Sequence, residues 1–140
     1  DYYTKKDLKS DSYLLFEVAN KLVRNSYISL FSALKIHGVI FQYYGGIYSV
    51  ANKPVEKTVS GIKFIYKKIK QDVLFNDMGI IQKNLARVAG IERSICDALY
   101  FFPKLGLENI NNVSKSRIMK IANIYNNKLL LKRIKKLMDK

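Results

Sequence analysis

Three residues stand where side-chain chemistry could be concentrated: Arg93, Asp97 and Tyr100, at i, i+4 and i+7 of a stretch with helical spacing. A cation, a carboxylate and a phenol in one row can form an exposed ion pair worth well under about 1 kcal/mol. The same row would also suit protein recognition, where a flat aromatic with a hydroxyl and two fixed charges makes a contact surface. Neither arrangement is catalytic. His37 and Cys96 are the chain's single histidine and cysteine, too few for a zinc set. His37 beside Gly38 reads as a helix-end residue and Cys96 as a small packed one. There is neither GxGxxG spacing nor a GK dipeptide to cradle a phosphate, and the 11 acids are scattered rather than paired around a metal. We therefore expect no cofactor, no metal and no bond-making chemistry.

Charge points to another kind of function. The chain carries 25 Lys and Arg against 11 Asp and Glu, a net +14 that usually implies an acidic partner. Twenty of those cations are Lys, and Ile and Asn are also abundant, which is the mark of an AT-rich genome and discounts the total. Placement is more informative. Residues 103–140 hold ten basic and two acidic residues, and the last helical stretch sets Lys128, Lys132, Arg133, Lys135 and Lys136 opposite an apolar arc of Leu130, Leu131, Ile134, Leu137 and Met138. Such a face can be mere solvation, but one sign of charge is lopsided for that purpose. Lys63 and Lys67 add to it, on the wet side of an alternating strand in which Ile62, Phe64 and Tyr66 face the core. An anionic partner, either nucleic acid or an acidic protein surface, is the class this basic surface fits.

These residues must be positioned by a domain of α+β type. One hundred and forty residues make a single core-bearing unit. No apolar run approaches the roughly 18 to 20 residues needed to span a bilayer, and the N-terminal segment has no signal-like apolar stretch, so we expect no membrane partner and a cytoplasmic location. Residues 1–11 read as a polar linker from a preceding domain, and residues 12–140 as the domain itself. Two N-terminal helices are expected: one from Asp11 or Ser12, and one over Ser26 to Gly38 with Ser29 as its cap. A mainly antiparallel sheet of hairpins follows. Val39–Tyr44 and Ile47–Val50 turn at Gly45-Gly46, then comes Ile62–Lys67, then Met78–Ile81 and Leu85–Ala89 around Gln82-Lys83-Asn84. Three helices close the chain: Ile91 to Phe102, with Glu92 complementing the amides of its first turn, Ser114 to Tyr125, and Lys128 to Asp139.

Two stretches, taken with their spacing, carry a family resemblance: Ser26-Tyr27-Ile28-Ser29-Leu30-Phe31-Ser32-Ala33-Leu34 with His37-Gly38, and Arg87-Val88-Ala89-Gly90-Ile91-Glu92-Arg93-Ser94-Ile95-Cys96-Asp97-Ala98-Leu99-Tyr100. Together with the basic amphipathic ending they resemble the C-terminal domain of AbiEi antitoxins of type IV toxin–antitoxin systems, over roughly residues 12 to 139. Phe31 and Gly90-Ile91 depart from the pattern, where an acidic residue and a small-residue-Pro start are typical. The resemblance implies a transcriptional autoregulator with an N-terminal winged helix, which binds operator DNA and counteracts a nucleotidyltransferase-type toxin in phage resistance. It carries over Ser29, Ala33, Gly38, Glu92, Asp97 and Tyr100, mostly as fold-defining positions. The alternatives are a stand-alone nucleic-acid-binding domain and, with less in its favour, a nucleic-acid-processing enzyme.

Overall fold

Dense apolar residues from Tyr13 to Val23 make a long helix, α1 (Lys5–Leu22), whose buried side carries Tyr13, Phe16 and Ala19. The computed structural model describes the backbone of residues 5–139 and side chains from residue 12 onward. Residues 1–4 of the expected linker lie outside the described residues. The rest of that segment is helical from Lys5, so no cap forms at Asp11 or Ser12.

After α1 come β1 (Tyr27–Ile28), α2 (Leu30–Ile36), β2 (Ile47–Ala51), β3 (Val55–Val59), β4 (Ile62–Lys68), the single turn α3 (Gln71–Leu74), β5 (Ile80–Lys83), β6 (Ala86–Ala89), α4 (Ile91–Phe101), α5 (Lys115–Asn123) and α6 (Lys128–Met138). The fold is α+β. Its six strands form one mixed sheet in the order β3-β4-β2-β1-β6-β5. The β1–β2, β3–β4 and β5–β6 pairs are antiparallel, while β2–β4 and β1–β6 run parallel.

The expected hairpin through Gly45-Gly46 does not form. Both sides of β2 are taken, by β1 and by β4, so residues 39–44 have no ladder position beside it. Instead the Val39 amide closes α2 by donating to the Leu34 carbonyl, and the Val39 carbonyl accepts from the amides of Glu108 and Asn109. The hairpin expected around Gln82-Lys83-Asn84 does form, between β5 and β6, and one that was not expected joins β3 to β4. Ser60 (φ 50°) and Gly61 (φ 78°) supply the two positive φ values of a tight two-residue connection. Strand β3 lacks an apolar signature because it is an edge strand, exposed from Glu56 to Val59, where charge discourages pairing with another chain.

Hydrogen bonds assign the two faces of the sheet. Tyr66 Oη donates to the Ala19 carbonyl of α1 at 2.6 Å, whereas Tyr27 Oη donates to Asp97 of α4 at 2.8 Å. The register aligns Tyr27 with Val50 and Val50 with Lys67, so Tyr27 and Tyr66 point to opposite sides. Helix α1 therefore covers one face. Helices α2 and α4 cover the other, with α5 and α6 stacked on α4. Asn20 of α1 also binds both backbone groups of Arg87 in β6, at 2.7 and 3.4 Å.

Gly79, just before β5, shows how tightly these layers meet. Its φ is +81°, its carbonyl accepts from the Gly90 amide at 2.7 Å, and an added Cβ would lie 2.7 Å from Ile121 Cδ1 and 3.0 Å from Arg93 Cβ. Gly79→Ala is expected to destabilise the fold by roughly 2–3 kcal/mol, combining the left-handed conformation with overpacking. Gly45→Ala, at φ +83° in open space, should cost only about 1–2 kcal/mol. Urea midpoints of the two variants measure the difference.

Candidate functional site

The row Arg93, Asp97, Tyr100 is not a surface. Arg93 and Asp97 are fully buried, with the guanidinium Nε 3.9 Å from Asp97 Oδ1. Arg93 Nη1 donates to the carbonyls of Asn76 (2.8 Å) and Met78 (2.7 Å), Nη2 to that of Val73 (2.7 Å), and Nε to Tyr27 Oη (3.2 Å). Asp97 accepts from Tyr27 Oη, from Ser29 Oγ at 2.6 Å and from Tyr125 Oη. Burial lifts the Asp97 carboxyl above its ordinary value, while Arg93 and the three hydroxyls pull it back down. Burial also pushes the Tyr27 and Tyr125 phenols well up, with Asp97 adding to the rise. These groups join β1, the start of α2, the loop after α3, α4 and the end of α5. The expected contact surface is therefore a structural knot, because α4 is enclosed on both sides by the sheet and α5. Tyr100 is half-buried, its ring 5.7 Å from that of Tyr125.

The other motif positions also hold elements together. Ser29 is the N-cap of α2, but its hydroxyl goes to Asp97 rather than to its own helix. Ala33 is buried, and Gly38 takes φ +74° after the helix end at His37. His37 Nε2 lies 2.8 Å from the Ala89 carbonyl. Glu92 corrects its expectation: it leaves its own first turn and accepts the Ser114 amide at 3.0 Å, with Arg117 Nη1 at 4.0 Å, so it braces α4 against the start of α5. Burial raises the Cys96 thiol far above its usual value, which keeps it a protonated packing group. Among the described residues, no three His, Cys, Asp or Glu side chains gather as metal ligands.

The basic residues fall in two groups. Lys128, Lys132, Lys135 and Lys136 are exposed along one stripe of α6, and Leu130 and Ile134 are buried on its other side. Asn127 caps this helix by accepting the Leu130 amide. Arg133 turns inward and donates to the Leu99 carbonyl at 3.1 Å. On the sheet, Lys63 pairs with Glu56 at 3.2 Å, and the Lys67 ammonium lies 5.8 Å from the Phe102 ring centroid. Arg133 and Lys67 both settle at the C-terminal end of α4, one on the Leu99 carbonyl and the other against the Phe102 ring. Four lysines on one rigid helical stripe can neutralise phosphates without reading bases.

Sequence reasoning missed an aromatic feature. Phe41, Tyr43 and Tyr44 are exposed on the segment between α2 and β2, and Tyr44 stacks on Phe31, which stacks on Phe102. A cavity of about 440 Å³ opens beside them. Taking residues 39–44 as a strand concealed it, since half of those side chains would then have pointed into the core. The available signal was the density of rings in Phe41-Gln42-Tyr43-Tyr44 directly before two glycines. Compared with known proteins, the chain matches no family model and no curated protein.

Proposed function

We propose that this chain is a non-catalytic antitoxin domain of an AbiEi-like transcriptional autoregulator, acting in the cytoplasm. In this reading it assists operator binding through the exposed basic stripe of α6 and neutralises a nucleotidyltransferase-type toxin. The observation that carries it is the stripe itself: Lys128, Lys132, Lys135 and Lys136 are all exposed, and the nearest acid on that helix end, Asp139, is engaged by Lys115 at 3.4 Å. These lysines would neutralise duplex phosphates and release the counterions condensed on them, so affinity is set by charge and geometry rather than by sequence.

The sequence resemblance supplies the antitoxin half of the reading, and it now rests on residues whose roles differ from those of a recognition surface. With Arg93 and Asp97 inside, toxin neutralisation would use the outer faces of α6 and of the aromatic segment. Two measurements test the proposal. Binding to labelled duplex DNA should weaken steeply with salt, and coexpression should relieve the growth arrest caused by a nucleotidyltransferase encoded beside this chain. Salt-dependent binding without rescue would leave a stand-alone nucleic-acid-binding domain, and a salt-insensitive affinity would remove the role of α6.

A further inference from the structure

Large rings exposed together are expensive in water and mark places where something docks. Phe41 is 64% exposed, Tyr43 66% and Tyr44 37%. Their backbone is anchored at both ends. The Val39 amide donates to the Leu34 carbonyl at 2.9 Å, the Val39 carbonyl accepts from Glu108 and Asn109, and Tyr48 Oη donates to the Tyr44 carbonyl at 2.8 Å. The rings are thus presented from a fixed frame.

Their arrangement is specific. Tyr44 lies 4.0 Å from Phe31 with 14° between planes, and Phe31 lies 5.0 Å from Phe102 at 26°, which makes a column of near-parallel rings. Phe31 covers one side of Tyr44, so the other side extends the column outward. The Lys35 ammonium lies 5.2 Å from the ring centroid of Tyr43, which remains 66% exposed. The adjoining cavity includes Ser32, Lys35 and Gln42 among its lining, and among the described residues no carboxylate lines it. The far end of the column carries a second cation, Lys67 over Phe102.

We propose that this face is a stacking site for unpaired nucleobases of single-stranded nucleic acid. One base lies on the exposed ring of Tyr43, another extends the Tyr44–Phe31–Phe102 column, and Lys35 neutralises the phosphate between them. Flat ligands continue a column of parallel rings, and lysines against two of those rings favour a polyanionic backbone over an apolar peptide. The cavity is of a size that takes a small planar group. This inference shares the premise of a polyanionic partner with the reading above and draws on the same aromatic segment as its toxin-facing half, but it uses none of the α6 lysines.

The test is fluorescence anisotropy of the full chain with a short labelled single strand of mixed sequence and with its duplex. Tyr43→Ala is the chosen variant because Tyr43 is two-thirds exposed and its loss leaves the core intact. It should weaken single-strand binding roughly tenfold while leaving duplex affinity unchanged. Tyr43→Trp should restore binding, and Lys35→Gln should weaken it and flatten its salt dependence. A Tyr43→Ala chain that binds the single strand as tightly as its parent overturns the proposal. So does self-association, or binding to a protein partner, that is lost in Tyr43→Ala while oligonucleotide affinity stays constant. Reversing charges on α6 separates the two readings: Tyr43 dependence that persists in that background supports stacking even where duplex binding is unaffected.

Discussion

Asp97→Ala is expected to destabilise the fold by about 3–5 kcal/mol, because it leaves a buried guanidinium without its counter-charge. It also strands three buried hydroxyls, those of Tyr27, Ser29 and Tyr125. That loss is a large fraction of the total stability of a domain this size, so the variant should be partly unfolded at moderate temperature. Asp97→Asn keeps the shape and one acceptor and should cost less. Arg93→Met should be as severe as the alanine variant, since the carbonyls of Val73, Asn76 and Met78 lose their shared donor. The double variant Arg93→Met/Asp97→Leu is expected to fall well short of the sum, as no lone charge remains. Urea denaturation of the four chains measures this, and an Asp97→Ala chain within 1 kcal/mol of its parent would sink the account of a charged knot.

Reversal of Lys132 and Lys136 to Glu should have the largest effect on binding. If the four exposed lysines of α6 each neutralise one phosphate, log K falls against log salt with a slope of about −3.6, and a fourfold rise in salt weakens binding roughly 150-fold. Removing two contacts brings the slope to about −1.8, so the same rise costs only about 12-fold, and affinity drops at every salt concentration through repulsion. Location can be separated from net charge by reversing Lys53 and Lys57 instead. Lys57 lies on the edge strand β3 and Lys53 in the connection just before it, and their variant should keep the parental slope. Equal slopes in both variants would show that α6 is not the contact.

The regular elements were readable wherever side chains repeat with a period. Ile62–Lys68 alternates because one face meets α1, and α4, α5 and α6 carry apolar stripes, with Ser114 as the cap of α5. Strand β1 was not readable, since two residues have no period, and its residues passed for the start of a helix. Strand β3 failed for the opposite reason: as an exposed edge it has almost no apolar residue to bury. The segment 39–44 was misread because apolar density without a period fits a strand as well as a tethered loop.

For the site, the limit lay in burial. Helical spacing placed Arg93, Asp97 and Tyr100 on one side of α4 correctly, but spacing cannot tell what faces that side. The opposite side of α4, with Ile95 and Leu99, also faces protein, so the helix is enclosed rather than amphipathic at a surface. By itself the sequence determined the α+β class, the Ser114 cap, the β5–β6 hairpin and the basic stripe of α6, since all of these follow from neighbours within a few residues. Only the tertiary structure decided that Arg93 and Asp97 are interior, that Glu92 serves α5, and that the rings of residues 41–44 face water. Each of those depends on residues brought together across tens of positions in the chain, where no local periodicity carries the information.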